Sequence, residues 1–216
     1  MNLDTRLMAD NVKQTHFPIP TCEQLRHEFQ ASDRFSALDL NHEFHQLEID
    51  EKSRKLFVFT TLFGLFRYKR LVMGTPQASS ECHDKIKRML KGLAGVAQIK
   101  DDLILHGQGE EHDQRLKQVL ERFRQAGLTL REEKCKLGKQ EVVWFGYVFN
   151  KKGMSPDPEK VKTIRAWPAP KDKSEVKSFL QTCQFSSRYM RGAPGETYSD
   201  VTKPLRELTR QGVWFK

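Results

Sequence analysis

Read as apolar and polar positions, the chain changes its period once. Up to about residue 150 it shows short apolar runs and alternations of period two, interrupted by helical stretches, and beyond that the apolar spacing is helical throughout. Thr21, followed by Gln24 and by Leu25 and Phe29 one turn apart, predicts a capped first helix. Phe35-Ser-Ala-Leu-Asp-Leu40 predicts a strand, and His45, Leu47 and Ile49 alternating with Gln46, Glu48 and Asp50 predict a half-buried one. Lys55 to Thr61 and Leu65 to Met73 read as two further strands joined by Phe63-Gly64.

Ser79 opens a helix with Cys82, Ile86, Met89, Leu90 and Leu93 on one face, stopped by Gly92 and Gly95. A hairpin follows, then a helix over Glu110 to Ala126 whose inward residues are Leu116, Val119, Leu120 and Phe123, with Gly127 as its C-terminal cap. Leu128 to Leu130 and Val142 to Phe149 are strand-like. Composition shifts at Lys151-Lys-Gly-Met-Ser-Pro156. Past it, Asp157-Pro158 starts a helix with Val161, Ile164 and Trp167 inward, and Pro168-Ala-Pro170 breaks it. Asp172 and Glu175 frame a longer helix carrying Val176, Phe179, Leu180 and Cys183, and a last one runs from near Ser199 to Gly212. The expected fold class is α+β: residues 1–150 form an antiparallel sheet with packed helices, and residues 151–216 form a small all-helical domain.

Charge adds a partner class. The chain of 216 residues carries a formal net charge of +9, and residues 151–216 hold 14 Lys and Arg against 7 Asp and Glu, a net +7. Such an excess favours a polyanion. Cys22, Cys82, Cys135 and Cys183 are scattered without a CxxC pair, which fits reduced thiols rather than disulfides or zinc. No apolar run approaches the roughly 18 residues needed to span a bilayer, and no signal-peptide core follows Met1. An intracellular protein without a membrane partner, in a cytoplasmic particle or the nucleus, is expected.

The candidate chemistry is acidic. Asp39 stands where one apolar run ends, and Asp101-Asp102 stand between Val96-Ala-Gln-Ile99 and Leu103-Ile-Leu105. An Asp-Asp pair by itself belongs as readily to a solvated turn. Buried flanks on both sides change that reading, because adjacent carboxylates near a third repel one another and stay charged together only around cations.

These residues carry a resemblance. Phe35-Ser-Ala-Leu-Asp-Leu-Asn-His-Glu-Phe-His-Gln46, Phe66-Arg-Tyr-Lys-Arg-Leu-Val-Met-Gly74, Ile99-Lys-Asp-Asp-Leu-Ile-Leu-His-Gly107, Gly127-Leu-Thr-Leu-Arg-Glu-Glu-Lys-Cys135, Trp144-Phe-Gly146 and Ser155-Pro-Asp-Pro-Glu-Lys-Val161 follow one another in order. They resemble the motifs of reverse transcriptases from gypsy-type long-terminal-repeat retrotransposons, a part of the Pol polyprotein. The resemblance implies a right-hand polymerase with partial fingers and palm over residues 1–150 and a basic helical thumb over residues 151–216.

It further implies an RNA-directed DNA polymerase in which Asp39, Asp101, Asp102 and the Leu40 carbonyl hold two Mg²⁺ ions, with Mn²⁺ as a substitute. Arg6, His42, Glu43, Phe44, Met73, Gly74 and Lys134 correspond to the nucleotide site, with Phe44 as the ring that excludes a 2′-hydroxyl and Lys134 as a proton donor to pyrophosphate. Trp144, Phe145 and Gly146 match the primer grip. The implied partners are an RNA or DNA template with its primer, dNTPs, and other Pol regions such as ribonuclease H and integrase.

The chain departs from the family pattern at three places. Lys100 replaces a small or apolar residue, Glu43 stands where glycine is common, and Pro76-Gln77 with Ser79-Ser-Glu81 alter the usual loop. Against the family pattern the chain opens inside the fingers, past a triphosphate-binding lysine, and closes at Trp214-Phe-Lys216, ahead of a ribonuclease H domain. The resemblance leaves two readings open: an active polymerase core, or an inactive remnant that still binds nucleic acid.

Overall fold

The computed structural model describes residues 21, 25, 27–30, 32–75, 78–189 and 193–212. The contacts of the chain divide it into two compact units, and the division runs through residues 146–154. The first unit is residues 1–145 with 149–153, and the second is residues 146–148 with 154–216.

In the first unit, β1 (Arg34–Leu38), β4 (Val96–Ile99), β5 (Asp102–Gly107) and β6 (Lys136–Lys139) make an antiparallel sheet in the order β4-β5-β1-β6. Because side chains alternate across a sheet, β1 and β5 sort their residues between two faces. Ser36, Leu38, Leu103 and Leu105 turn toward α2 (Ala78–Met89) and α3 (Gly109–Gln125), in a core completed by Cys82, Ile86, Val119 and Phe123. Phe35, Ala37, Ile104 and His106 turn the other way, where Phe29 meets His106, Trp144 and Phe149 edge-on. Burial on both faces explains why Ile104 and Leu105 are equally sealed from solvent.

Two buried polar relays tie this sheet together. A register shift between β1 and β6 gives one strand an extra residue, so the Gly138 amide has no ladder partner and donates instead to Ser36 Oγ at 2.9 Å. The Ser36 hydroxyl also meets His112 Nε2 at 2.9 Å, and His112 Nδ1 faces Asp113 Oδ1 at 2.9 Å. Ser32 Oγ meets His106 Nδ1 at 2.9 Å on the opposite face. Burial depresses the His106 pKa to about 4, so this ring is neutral at physiological pH.

Several expectations are corrected. The half-buried strand expected from His45 begins as a one-turn helix, α1 (Glu43–Gln46), and only Leu47 to Ile49 run extended, with Leu47 and Ile49 buried and Glu48 exposed. The alternation was real but started two residues late, because a left-handed turn at His42 reverses the chain first. Lys55 to Thr61 divides into a 3-10 turn and β2 (Val58–Thr61), which pairs with β3 (Gly64–Arg67). The run Val142 to Phe149 is two strands, β7 (Glu141–Trp144) and β8 (Tyr147–Asn150), parted by positive φ at Phe145 and Gly146. β6 and β9 (Gly153–Pro156) carried too few apolar residues to be read as strands. Gln24 and Cys22, from the expected first helix, lie outside the described residues.

The second unit is helical beyond β9. α4 (Pro158–Arg165) is capped by Asp157, which accepts from the Glu159 amide at 3.0 Å. α5 (Lys173–Phe185) is capped by Asp172, and the Glu175 carboxylate takes the Lys171 amide at 2.7 Å. α6 (Tyr198–Leu208) begins with a capping box of Thr197 and Asp200. Val176 and Cys183 are buried on α5 and Thr202 on α6, and Tyr198 donates to the Leu180 carbonyl at 2.8 Å. Among the described residues no helix is long and apolar enough to cross a membrane.

Candidate active site

The register places the acids. Leu38 pairs with Leu103, so one step further along the antiparallel ladder Asp39 comes opposite Asp102. β4 and β5 are joined through Lys100 and Asp101, with Lys100 at φ 56, a left-handed conformation unusual for a side-chain-bearing residue. The three aspartates therefore lie near one another, where β1 ends and the β4–β5 turn begins. Their mutual repulsion is visible in Asp102, whose carboxyl is held above its ordinary range first by burial and then by Asp101 and Asp39, with Lys134 pulling it back.

Glu43 belongs to the same group. Its carboxyl is pushed up to about 7, by burial first and then by Asp101, Asp102 and Asp39, and its Oε2 is buried without a hydrogen-bond partner. Neutral forms of Glu43 are thus well populated near pH 7, which moderates the negative charge this residue brings. Lys134 Nζ stands 3.6 Å from Asp39 Oδ2. Among the described residues no three acidic, histidine or cysteine side chains converge at metal-ligand distances. The donor set nonetheless fits a hard divalent cation: only oxygen ligands, and a raised Asp102 whose repulsion a cation relieves.

The backbone at Asp39 is fixed by a segment that precedes β6. The Arg131 amide donates to the Asp39 carbonyl at 2.9 Å, the Asp39 amide donates to Cys135 Sγ at 3.5 Å, and Leu40 bridges Leu130. Gln46 clasps the next turn, accepting from the Thr129 amide at 2.6 Å and donating to the carbonyls of Thr129 and Asn41. The β4–β5 turn has its own supports. Gln98 Nε2 donates to the Lys100 carbonyl at 2.7 Å, and His83 Nδ1 lies 3.4 Å from the same oxygen. Gln98, His83, Gln46 and Cys135 were not read from the sequence as site residues. Gln98 carried the one available signal: a polar residue inside an otherwise apolar strand.

The other candidates are distributed unevenly. His42 caps α1 at φ 45, and Phe44 is partly buried against the core that contains Leu38 and Leu40. α1 packs on α2. Met73 and Gly74 lie in the loop between β3 and α2, Met73 half exposed and Gly74 at φ 98. Lys100 is exposed, and among the described residues its ammonium has no carboxylate partner. Trp144 is an anchor in the Phe29–Phe149 cluster, whereas Phe145 is exposed at φ 49. Arg6, Pro76 and Gln77 lie outside the described residues.

The sequence profile of the reverse transcriptase (RNA-dependent DNA polymerase) family matches residues 1–149. An uncharacterized protein of Caenorhabditis elegans is 33% identical over 180 residues, 83% of this chain and 14% of that protein. The retrovirus-related Pol polyprotein from transposon 412 of Drosophila melanogaster is 29% identical over 217 residues, 99% of this chain and 17% of the polyprotein. This chain thus spans well under two thirds of both relatives. A foamy viral protease–reverse transcriptase solved with double-stranded DNA superposes with a TM-score of 0.88 at 22% identity, covering 100% of this chain and 38% of that one. At that identity the likeness speaks for the fold, a right-hand polymerase.

Proposed function

The chain belongs to the reverse transcriptase family of RNA-dependent DNA polymerases, and on that premise we propose that it transfers deoxynucleotides to a primer 3′-hydroxyl as the polymerase core of a retrotransposon Pol protein. The observation that carries this reading is the meeting of Asp39, Asp101 and Asp102, with Asp102 raised by its neighbours. Bound Mg²⁺ or Mn²⁺ would lower the pKa of the attacking hydroxyl and neutralise charge on the leaving pyrophosphate. Asp39, Asp101, Asp102 and the Leu40 carbonyl are the oxygens that would hold it.

The chain's own groups do the rest. Lys134, whose Nζ stands 3.6 Å from Asp39 Oδ2, would give a proton to pyrophosphate. The Phe44 ring, wedged against the core, presents a fixed edge against which a ribose 2′-hydroxyl would clash. His42, Glu43, Met73 and Gly74 surround the nucleotide, and Phe145-Gly146 present the primer end. In a full-length element the other Pol regions, ribonuclease H and integrase, complete the cycle.

A second reading, a nucleic-acid-binding remnant without chemistry, is favoured by the Lys134–Asp39 pair, which satisfies internally one of the carboxylates a cation needs. Primer extension on an RNA template with Mg²⁺, beside Asp101→Ala, separates the two. Extension that disappears in the variant supports the polymerase. Duplex binding without extension in either protein supports the remnant.

A further inference from the structure

Two side chains that support the β4–β5 turn are each left with an open acceptor. His83, on α2, has Nδ1 3.4 Å from the Lys100 carbonyl oxygen, and Gln98, on β4, donates from Nε2 to the same oxygen at 2.7 Å. A carbonyl can only accept, so the imidazole proton belongs on Nδ1 and Nε2 is left as an acceptor. Burial lowers the His83 pKa, which keeps the ring neutral near pH 7 and holds it to that one proton. Gln98 in turn is left with Oε1. Among the described residues neither His83 Nε2 nor Gln98 Oε1 has a hydrogen-bond partner, although His83 is only 1% exposed and Gln98 7%. Buried polar atoms are almost always paired, so two open acceptors on residues that share one oxygen call for a donor.

Both residues line one cavity of about 560 Å³ in the first unit. Both open atoms are closed to bulk solvent, so a group that enters this cavity is what can supply the missing donors. Its walls are apolar at Leu25, Leu90, Val96 and Ala97. Its charges nearly offset one another. Asp84 is paired with Arg88 at 2.6 Å, and the exposed Glu28, Lys87 and Lys91 leave a slight positive excess. The lysines disfavour a cation, and the open acceptors disfavour the oxygens of an anion. A neutral molecule with an apolar body and N–H donors satisfies both conditions. Aryl ureas are the type of this class.

We infer that the cavity lined by His83 and Gln98 is a binding site for a small neutral molecule, an apolar body carrying N–H donors that pair with His83 Nε2 and Gln98 Oε1. Occupancy is transmitted to the acidic turn. Donation into Nε2 and Oε1 polarises the imidazole and the amide, so each gives a stronger hydrogen bond to the Lys100 carbonyl. That carbonyl and the Asp101 amide belong to one planar peptide unit, so the ligand tightens the turn that carries Asp101.

The test is titration of the whole chain, free of metal and nucleic acid, followed by ¹⁵N NMR. One probe is phenylurea, and the other is methyl benzoate, which has the ring and an acceptor but no donor. Phenylurea is expected to saturate and to move the His83 Nε2 and Asp101 amide resonances, with methyl benzoate about tenfold weaker, the scale of one hydrogen bond. His83→Phe and, separately, Gln98→Leu weaken phenylurea about tenfold and leave methyl benzoate nearly unchanged, so the result does not depend on the folding of either variant alone. Equal affinity for the two probes, no binding of phenylurea, or phenylurea affinity unchanged in both variants would overturn the site and leave a cavity that holds solvent. Binding that leaves the Asp101 amide unmoved would overturn the coupling to the turn. With no metal or primer present, none of these outcomes bears on the polymerase reading.

Discussion

The two units handle charge in opposite ways. In the first, four carboxylates are gathered at the end of a buried sheet, where burial and mutual repulsion lift Asp102 and take Glu43 to about 7. In the second, few residues are buried and the described lysines and arginines form no ion pairs with acidic side chains. Concentrated negative charge held by a rigid frame suits chemistry that needs cations, and dispersed positive charge suits a polyanion read by its backbone. The frame of the first unit is made of buried hydrogen bonds as well as apolar contacts, because Asp39 lies past the end of β1 and Asp101 in the β4–β5 turn, where no ladder fixes the backbone.

Four experiments press on this contrast. The largest effect concerns the basic unit. If its cations track phosphates, raising salt from about 50 to 200 mM weakens primer–template binding by about 10³-fold, the fall expected for some six phosphate contacts. Salt-independent affinity, read by fluorescence anisotropy, would remove the electrostatic role from this unit. Next comes the support of the acidic turn. Gln98→Leu removes the donor to the Lys100 carbonyl and is expected to slow single-turnover incorporation by about 10- to 100-fold, as misplacing a reacting group does. Duplex affinity and KM should stay near wild type, and a loss confined to binding would contradict a positioning role.

Phe44→Ala is smaller and sharper. It is expected to narrow the preference for deoxynucleotides over ribonucleotides by about tenfold, the scale of one steric contact. Unchanged sugar selectivity would return Phe44 to the core and nothing more. The smallest effect is on stability. The folded pKa of Glu43, about 7, exceeds its ordinary 4.5, so the fold favours the neutral acid and stability declines as pH rises through that interval. Glu43→Gln is therefore expected to melt about 2–4 °C higher than wild type near pH 8, the shift of about 1 kcal/mol, and alike near pH 4. A variant that melts lower at the higher pH would mean that Glu43 is a paired carboxylate.

Much of this was legible along the chain. The acids were found because apolar residues frame them, and Asp157-Pro158 and Asp172 cap helices as their types predict. The strand expected from His45 failed because alternation reports where side chains point, not where the chain reverses, and the left-handed turn at His42 has no glycine to announce it. The split after Trp144 was hidden for the same reason, with Phe145 in the left-handed region ahead of Gly146. Cys135 gave little sign of its role, since it acts on the backbone of Asp39, which only folding brings near, and Gln98 acts two residues along, on a left-handed turn at Lys100 that no glycine announces.

By itself the sequence determined the period change near residue 150, the basic bias of the last third and the three aspartates at strand ends, because each is a property of neighbours in the chain. Tertiary structure alone decided that Glu43 joins those aspartates, that Lys134 pairs with Asp39, and that His83 comes to the Lys100 carbonyl. Those outcomes depend on distances between residues far apart in sequence, and electrostatic coupling depends on distance and burial, neither of which a linear pattern contains.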